Sequence, residues 1–127
     1  MTVLLIAALF ALQQPPPVRM SPDVKGEIKP AYRQLQPGEQ RAEGLLRRIV
    51  CPGRGPVTFV VKQKDSVTQF TAPRLTSVDF IVYRADFRGP MTCQGFGAGE
   101  PVFVTWKPEG KTQRVVAIEF LPKPAAR

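Results

Sequence analysis

The sequence predicts an all-β protein, a small barrel or sandwich of five to six strands. Three observations lead there. From Arg41 onward, short apolar runs recur with turn signals at intervals of about 8–12 residues. Several of these runs alternate with a period of two, the pattern of a strand with one buried face. No stretch after residue 40 carries the spacing of an amphipathic helix. Short strands in this number close readily on themselves, since closure removes exposed edges.

The first predicted strand is Ala42 to Cys51. Its Leu46, Ile49 and Cys51 share a face only if a bulge falls near Arg47-Arg48. Pro52-Gly53-Arg54-Gly55 is a turn. Pro56 to Lys62 follows, with Val57, Phe59 and Val61 on one side and Thr58, Val60 and Lys62 on the other. Gln63 to Ser66 turns the chain into Val67 to Ala72, where Phe70 points inward. Pro73-Arg74 breaks that run. Ser77 to Arg84 then sets Val78, Phe80 and Val82 on one face, with Asp79, Ile81 and Tyr83 on the other. Ala85 to Gly99 reads as loop, with Met91-Thr92-Cys93 as a short strand inside it. Gly95, Gly97 and Gly99 precede a strand rather than a helix, so they lack the helix N-terminus that would hold phosphate. They read as a flexible hairpin loop. Pro101 to Lys107 aligns Val102, Val104 and Trp106. After the turn Pro108 to Lys111, Gln113 to Phe120 aligns Val116, Ile118 and Phe120.

Ahead of these strands lie two different segments. Met1 to Leu12 is uncharged and apolar, too short to span a bilayer but of the size of a signal-peptide core. We expect a signal peptide over residues 1–14. No basic residue precedes the run, and of the small residues that cleavage favours only Ala11 lies near its end. The alternative is an apolar helix used as a core element or membrane foot. Residues 15–40 hold six of the 14 prolines and read as a disordered, Pro-rich linker. The barrel is expected over 41–122, with a C-terminal tail at 123–127.

The chain has 127 residues and a net charge of +8, from 18 Lys and Arg against 10 acids. That balance favours anionic partners, or serves solubility by self-repulsion. The basic residues are spread along the chain; the densest spots are Arg47-Arg48, Lys62 with Lys64, and Arg84 with Arg88. There is no histidine, which removes Ser-His-Asp and Cys-His catalysis and the usual zinc ligand. Asp79 with Asp86, or Asp79 with Glu119, are the conceivable acid pairs, but single carboxylates on strands usually face solvent. We therefore expect no enzyme activity, no cofactor and no metal site.

An internal echo is the strongest motif. Cys51-Pro-Gly-Arg-Gly-Pro-Val-Thr-Phe-Val-Val-Lys62 resembles the longer stretch from Cys93 through Gly95, Gly97, Pro101 and Val102 to Lys107. Each Cys closes one strand just before a glycine turn feeds the next. In an oxidising compartment the two would form a disulfide that ties strand ends together. A redox role lacks the Cys-x-x-Cys spacing and the helix N-terminus it needs.

Aromatic and basic residues interleave at Tyr83, Arg84, Phe87 and Arg88, and again at Trp106-Lys107. On one barrel face they could stack bases and contact phosphates. The competing reading puts such aromatics in the core, which a small domain needs.

The stretch Glu43-Gly-Leu-Leu-Arg-Arg-Ile-Val-Cys-Pro-Gly53, then Thr92-Cys93, Val102-Phe-Val-Thr-Trp-Lys-Pro108 and Val115-Val-Ala-Ile-Glu-Phe120, resembles uncharacterised secreted bacterial domains, some attached to tetratricopeptide-repeat proteins. The resemblance implies an oligonucleotide/oligosaccharide-binding-like (OB-like) barrel with Cys51 and Cys93 paired. It carries no catalytic residues, and Trp106 stands where the pattern has Tyr.

These readings converge on an exported, periplasmic or secreted module, expected to be a monomer. Its partner would be an unknown macromolecule, either a protein or an anionic polymer. The barrel face and the 85–99 loop would form the binding surface. A protein partner is expected to bind without salt dependence. The alternative, a polyanion binder for single-stranded nucleic acid or acidic glycan through Tyr83, Arg84, Arg88, Trp106 and Lys107, requires affinity that falls steeply with salt.

Overall fold

A computed structural model describes residues 31–87 and 90–122 in full, with the backbone of three short strands before them. These are β1 (Arg19–Met20), β2 (Val24–Lys25) and β3 (Glu27–Ile28). The expected signal peptide, Arg88 and the C-terminal tail lie outside the described residues, as do the side chains of 15–30.

The domain is all-β. Its main strands are β4 (Gln40–Val50), β5 (Val57–Gln63), β6 (Ser66–Ala72), β7 (Asp79–Val82), β8 (Gly95–Glu109) and β9 (Thr112–Phe120). Five of them close a ring in the order β4, β5, β6, β9, β8 and back to β4. Adjacent pairs are antiparallel except β6 with β9, which run parallel. This is a partly open, five-stranded barrel of the OB-like kind. The opening lies between β6 and β9, which share the single bridge Thr71 to Arg114. Pro73 ends β6 there, a 3-10 turn follows at Leu75–Ser77, and β7 takes up the rest of that edge of β9. β1 extends the sheet beyond β7.

The core follows from alternation. Leu46, Ile49, Val57, Phe59, Val61, Phe70, Val78, Phe80, Val82, Val102 and Val104 all face inward and are buried. Leu46 and Ile49 are three residues apart, and the register slips between Leu46 and Arg48. The bulge at Arg47 is what lets both reach the core.

Three expectations need correction. The last strand does not bury Val116. Thr105 pairs with Ala117 but Trp106 pairs with Val115, so Val116 is the extra residue of a bulge. The inward phase shifts there, and Val115, Ile118 and Phe120 enter the core. Second, the glycines before Pro101 are not a loop, and Met91-Thr92-Cys93 is not a strand. β8 begins at Gly95, which pairs with Arg48 beside the β4 bulge. Gly99 has φ +115, and a Cβ there would sit 2.7 Å from the Leu45 Cβ. Glycine is what lets β8 press against β4 at this crossing. Third, residues 31–39 lie on the barrel instead of forming a free linker. A Pro37-Gly38 turn, with Gly38 at φ +83 and Glu39 N–H donating to the Gln36 carbonyl at 3.0 Å, folds this strap back onto β8 and β9.

Cys51 and Cys93 form the disulfide, with Cα atoms 5.9 Å apart. Both residues are exposed. The bond joins the end of β4 to the approach of β8, where Ile49 N–H also donates to the Gln94 carbonyl at 2.8 Å.

Candidate binding face

The outer side of β4, β5 and β6 collects cations and exposed aliphatics. Register fixes the arrangement: Leu45 pairs with Lys62, and Lys62 with Val67. One row across the sheet therefore reads Leu45, Lys62, Val67. The next reads Arg48, Val60, Gln69, and the last Val50, Thr58, Thr71. Val67 is 60% exposed, Val50 42% and Leu45 36%, so three large apolar side chains face water on one surface. Lys64 sits in the two-residue turn between β5 and β6.

The charges here are unbalanced. Four arginines elsewhere are matched by acids, Arg33 with Glu39, Arg41 near Glu119, Arg84 with Asp86 and Glu100, and Arg114 with Glu109, whereas Arg54 and Arg74 have no ion pair among the described residues. Among the described residues Arg47, Arg48, Lys62 and Lys64 have no ion pair, and the acids nearest them in sequence are Glu43 and Asp65. Two of the three basic spots seen in the sequence thus meet on one face. Arg84, of the third, is instead buried and paired with Asp86 and Glu100.

A shallow groove of about 770 Å³ opens on this face. Glu43, Leu45, Lys62, Gln63, Lys64 and Pro101 line it around Gly44. A Cβ at Gly44 would fall 2.6 Å from the Lys62 carbonyl oxygen, so only glycine permits β4 and β5 to approach here. Gln63 is held by the Thr68 hydroxyl, which donates to its Oε1 at 2.7 Å.

The residues singled out as an aromatic and basic surface fall into two places. Tyr83 and Arg84 are buried, at 3% and 6% exposure. Burial works against the Arg84 charge, but hydrogen bonds to Asp86 and Glu100 outweigh it and hold its pKa above the ordinary value. Phe87 lies under the Arg84 guanidinium at 4.7 Å and against Phe120 at 4.8 Å. These three gather near the end of β9. Trp106 pairs with Val115, five residues back along that strand, roughly 17 Å away by strand rise. It packs on the core beside Phe70, and Lys107 follows it, half-buried. Tyr83 and Arg84 therefore offer no exposed stacking face with Trp106. Arg88 lies outside the described residues.

Compared with known protein families, curated proteins and solved structures, the chain matches none.

Sequence reasoning missed two features. One is Leu45, Val50 and Val67, whose signal was their phase: each is apolar at an outward position of its strand. The other is Glu119, fully buried on the outer side of β9 instead of facing solvent. Its Oε2 accepts from Arg33 N–H at 2.8 Å and from the Tyr83 hydroxyl at 2.6 Å. Tyr32 of the strap meets Tyr83 and Phe103 edge-on, at 5.2 and 5.0 Å. Glu119 is thus held beneath the strap and does not face solvent. Among the described residues no group of three or more Cys, Asp or Glu converges as a metal would require.

Proposed function

We propose that this protein is an exported, non-enzymatic binding module of the cell envelope, and that it holds a macromolecular partner on the outer face of β4, β5 and β6. One observation supports this above others: Arg48, Lys62 and Lys64, none of them in an ion pair, lie with three exposed aliphatics on that face. Isolated exposed apolar residues are ordinary, but a grouped set rimmed by charge marks an interaction surface. The disulfide agrees with an oxidising compartment, and the segment before the barrel would act as tether.

The test is site-specific photo-crosslinking in cells that export the chain by its own leader. A photoreactive residue at Val67 is expected to trap a discrete partner, and one at Glu109 in the β8–β9 hairpin is not. Equal labelling from both positions, or none from Val67, would reject the assignment.

A polyanion such as single-stranded nucleic acid is the second reading, favoured by the same cations. The face lacks a described aromatic side chain for bases to stack on, which sets it behind a protein partner.

A further inference from the structure

We infer that the groove beside Gly44 takes an extended acidic polypeptide segment, with carboxylates at alternate positions seated over Lys62 and Lys64. This rests on the binding-face reading above and gives its partner a chemistry. Charge complementarity is the first argument. The groove brings together Lys62 and Lys64 with no ion pair to either, against the single lining acid Glu43. Arg48 extends the positive strip on β4, and Arg47, at the bulge, keeps a buried Nε with no hydrogen-bond acceptor. Pitch is the second. Residues two apart on an extended peptide lie roughly 7 Å apart on the same side, so alternate carboxylates can reach both Lys62, near the end of β5, and Lys64, in the turn that follows it. Side-chain character is the third. Lys62 sits between Leu45 and Val67, so a carboxylate there is flanked by aliphatic surface. Glu and Asp side chains beside Val or Leu suit such a row. A nucleobase does not, since no aromatic platform is offered.

The acidic segment changes one expectation: binding to this protein partner weakens as salt rises. The experiment uses the full disulfide-bonded chain and a fluorescein-labelled peptide alternating Val and Glu over ten residues. Its Val/Gln counterpart, a fluorescein-labelled oligothymidylate and a sulfated glycan serve as comparators. The Val/Glu peptide is expected to bind and the Val/Gln peptide not to. The double variant Lys62→Glu/Lys64→Glu should weaken binding about tenfold, with circular dichroism and Tm unchanged because both side chains are exposed. Arg114→Glu, at a cation engaged with Glu109, should leave binding intact. Tighter binding of the oligothymidylate or glycan, or indifference to the lysine reversal, overturns the acidic-segment assignment. A Val67 crosslink that survives the lysine reversal would leave the binding-face reading standing while this inference fails. Loss of any Val67-specific crosslink would remove both.

Discussion

The Tyr83 hydroxyl lies 2.6 Å from Glu119 Oε2, and both side chains are shut off from solvent. The same hydroxyl lies 2.9 Å from the Ala31 carbonyl, so one phenolic proton stands between two acceptors. Burial, reinforced by the hydrogen bond to Glu119, pushes the Tyr83 pKa above its ordinary value, so the phenol keeps its proton. This pair ties the strap to β9, because Glu119 also accepts from Arg33 N–H and Arg41 donates to the Arg33 carbonyl.

Removing that hydroxyl leaves a buried acid short of a donor. Tyr83→Phe is expected to cost about 1–3 kcal/mol. For a domain of this size each kcal/mol lowers Tm by roughly 4–8 °C. Glu119→Gln should cost less than Glu119→Leu, since the amide can still accept from Arg33 N–H and donate to the phenol oxygen. Denaturant unfolding of the three variants checks this. Tyr83→Phe at wild-type stability would show that the contact contributes nothing.

Acid should loosen the strap through a different residue. The hydrogen bond from the Arg33 guanidinium holds the Glu39 carboxyl at about 2, down from an ordinary 4.5. Its folded pKa is depressed, so its contribution is present above about 4.5 and fades as pH falls toward 2. Stability of the native chain should therefore fall more steeply across that window than stability of Glu39→Gln. Unfolding curves at several pH values decide it, and parallel pH profiles would contradict it.

The strands whose one face is buried were legible because the side-chain period is two. Phe59, Phe70 and Phe80 are inward as their alternation predicts. The Arg47 bulge was legible because Leu46 and Ile49 cannot otherwise share a side. Val116 was not legible: Val115 and Val116 are equivalent in type, and only the slip in β8 at Thr105–Trp106 decides which enters the core. The strap was hidden by composition. Prolines on both sides of Ala31–Gln36 suggest a linker, whereas backbone bonds to Tyr83 and Glu119 hold it down. The cationic face was half legible: the two basic pairs stood out along the chain, and only strand register brings them together.

The disulfide should dominate the stability of so small a core. It closes a loop between residues 42 apart in sequence, which chain entropy values at about 4 kcal/mol. Both cysteines are exposed, so a reductant can reach the bond in the folded protein. Unfolding with and without dithiothreitol, and of Cys51→Ala/Cys93→Ala, should show a comparable loss in both cases. A reduced chain as stable as the oxidised one would make the bond incidental to the fold.

Gly44 offers the sharpest separation between fold and face. A Cβ there would lie 2.7 Å from Val61 Cγ1 and 2.6 Å from the Lys62 carbonyl oxygen, the latter a backbone contact that no rotamer change relieves. Gly44→Ala must push β4 from β5, and a cost of about 1–3 kcal/mol is expected from overpacking. Gly95 is the control: its added Cβ meets nothing within 4 Å and its φ is not positive. Gly95→Ala should unfold like the native chain. Because Gly44 also sits in the groove, its substitution should weaken the Val/Glu peptide as well as the fold, whereas Lys62→Glu/Lys64→Glu should weaken the peptide alone. Equilibrium unfolding and peptide titration on the same three proteins separate these outcomes. If Gly44→Ala leaves both unchanged, the close approach of β4 to β5 is not what shapes the groove.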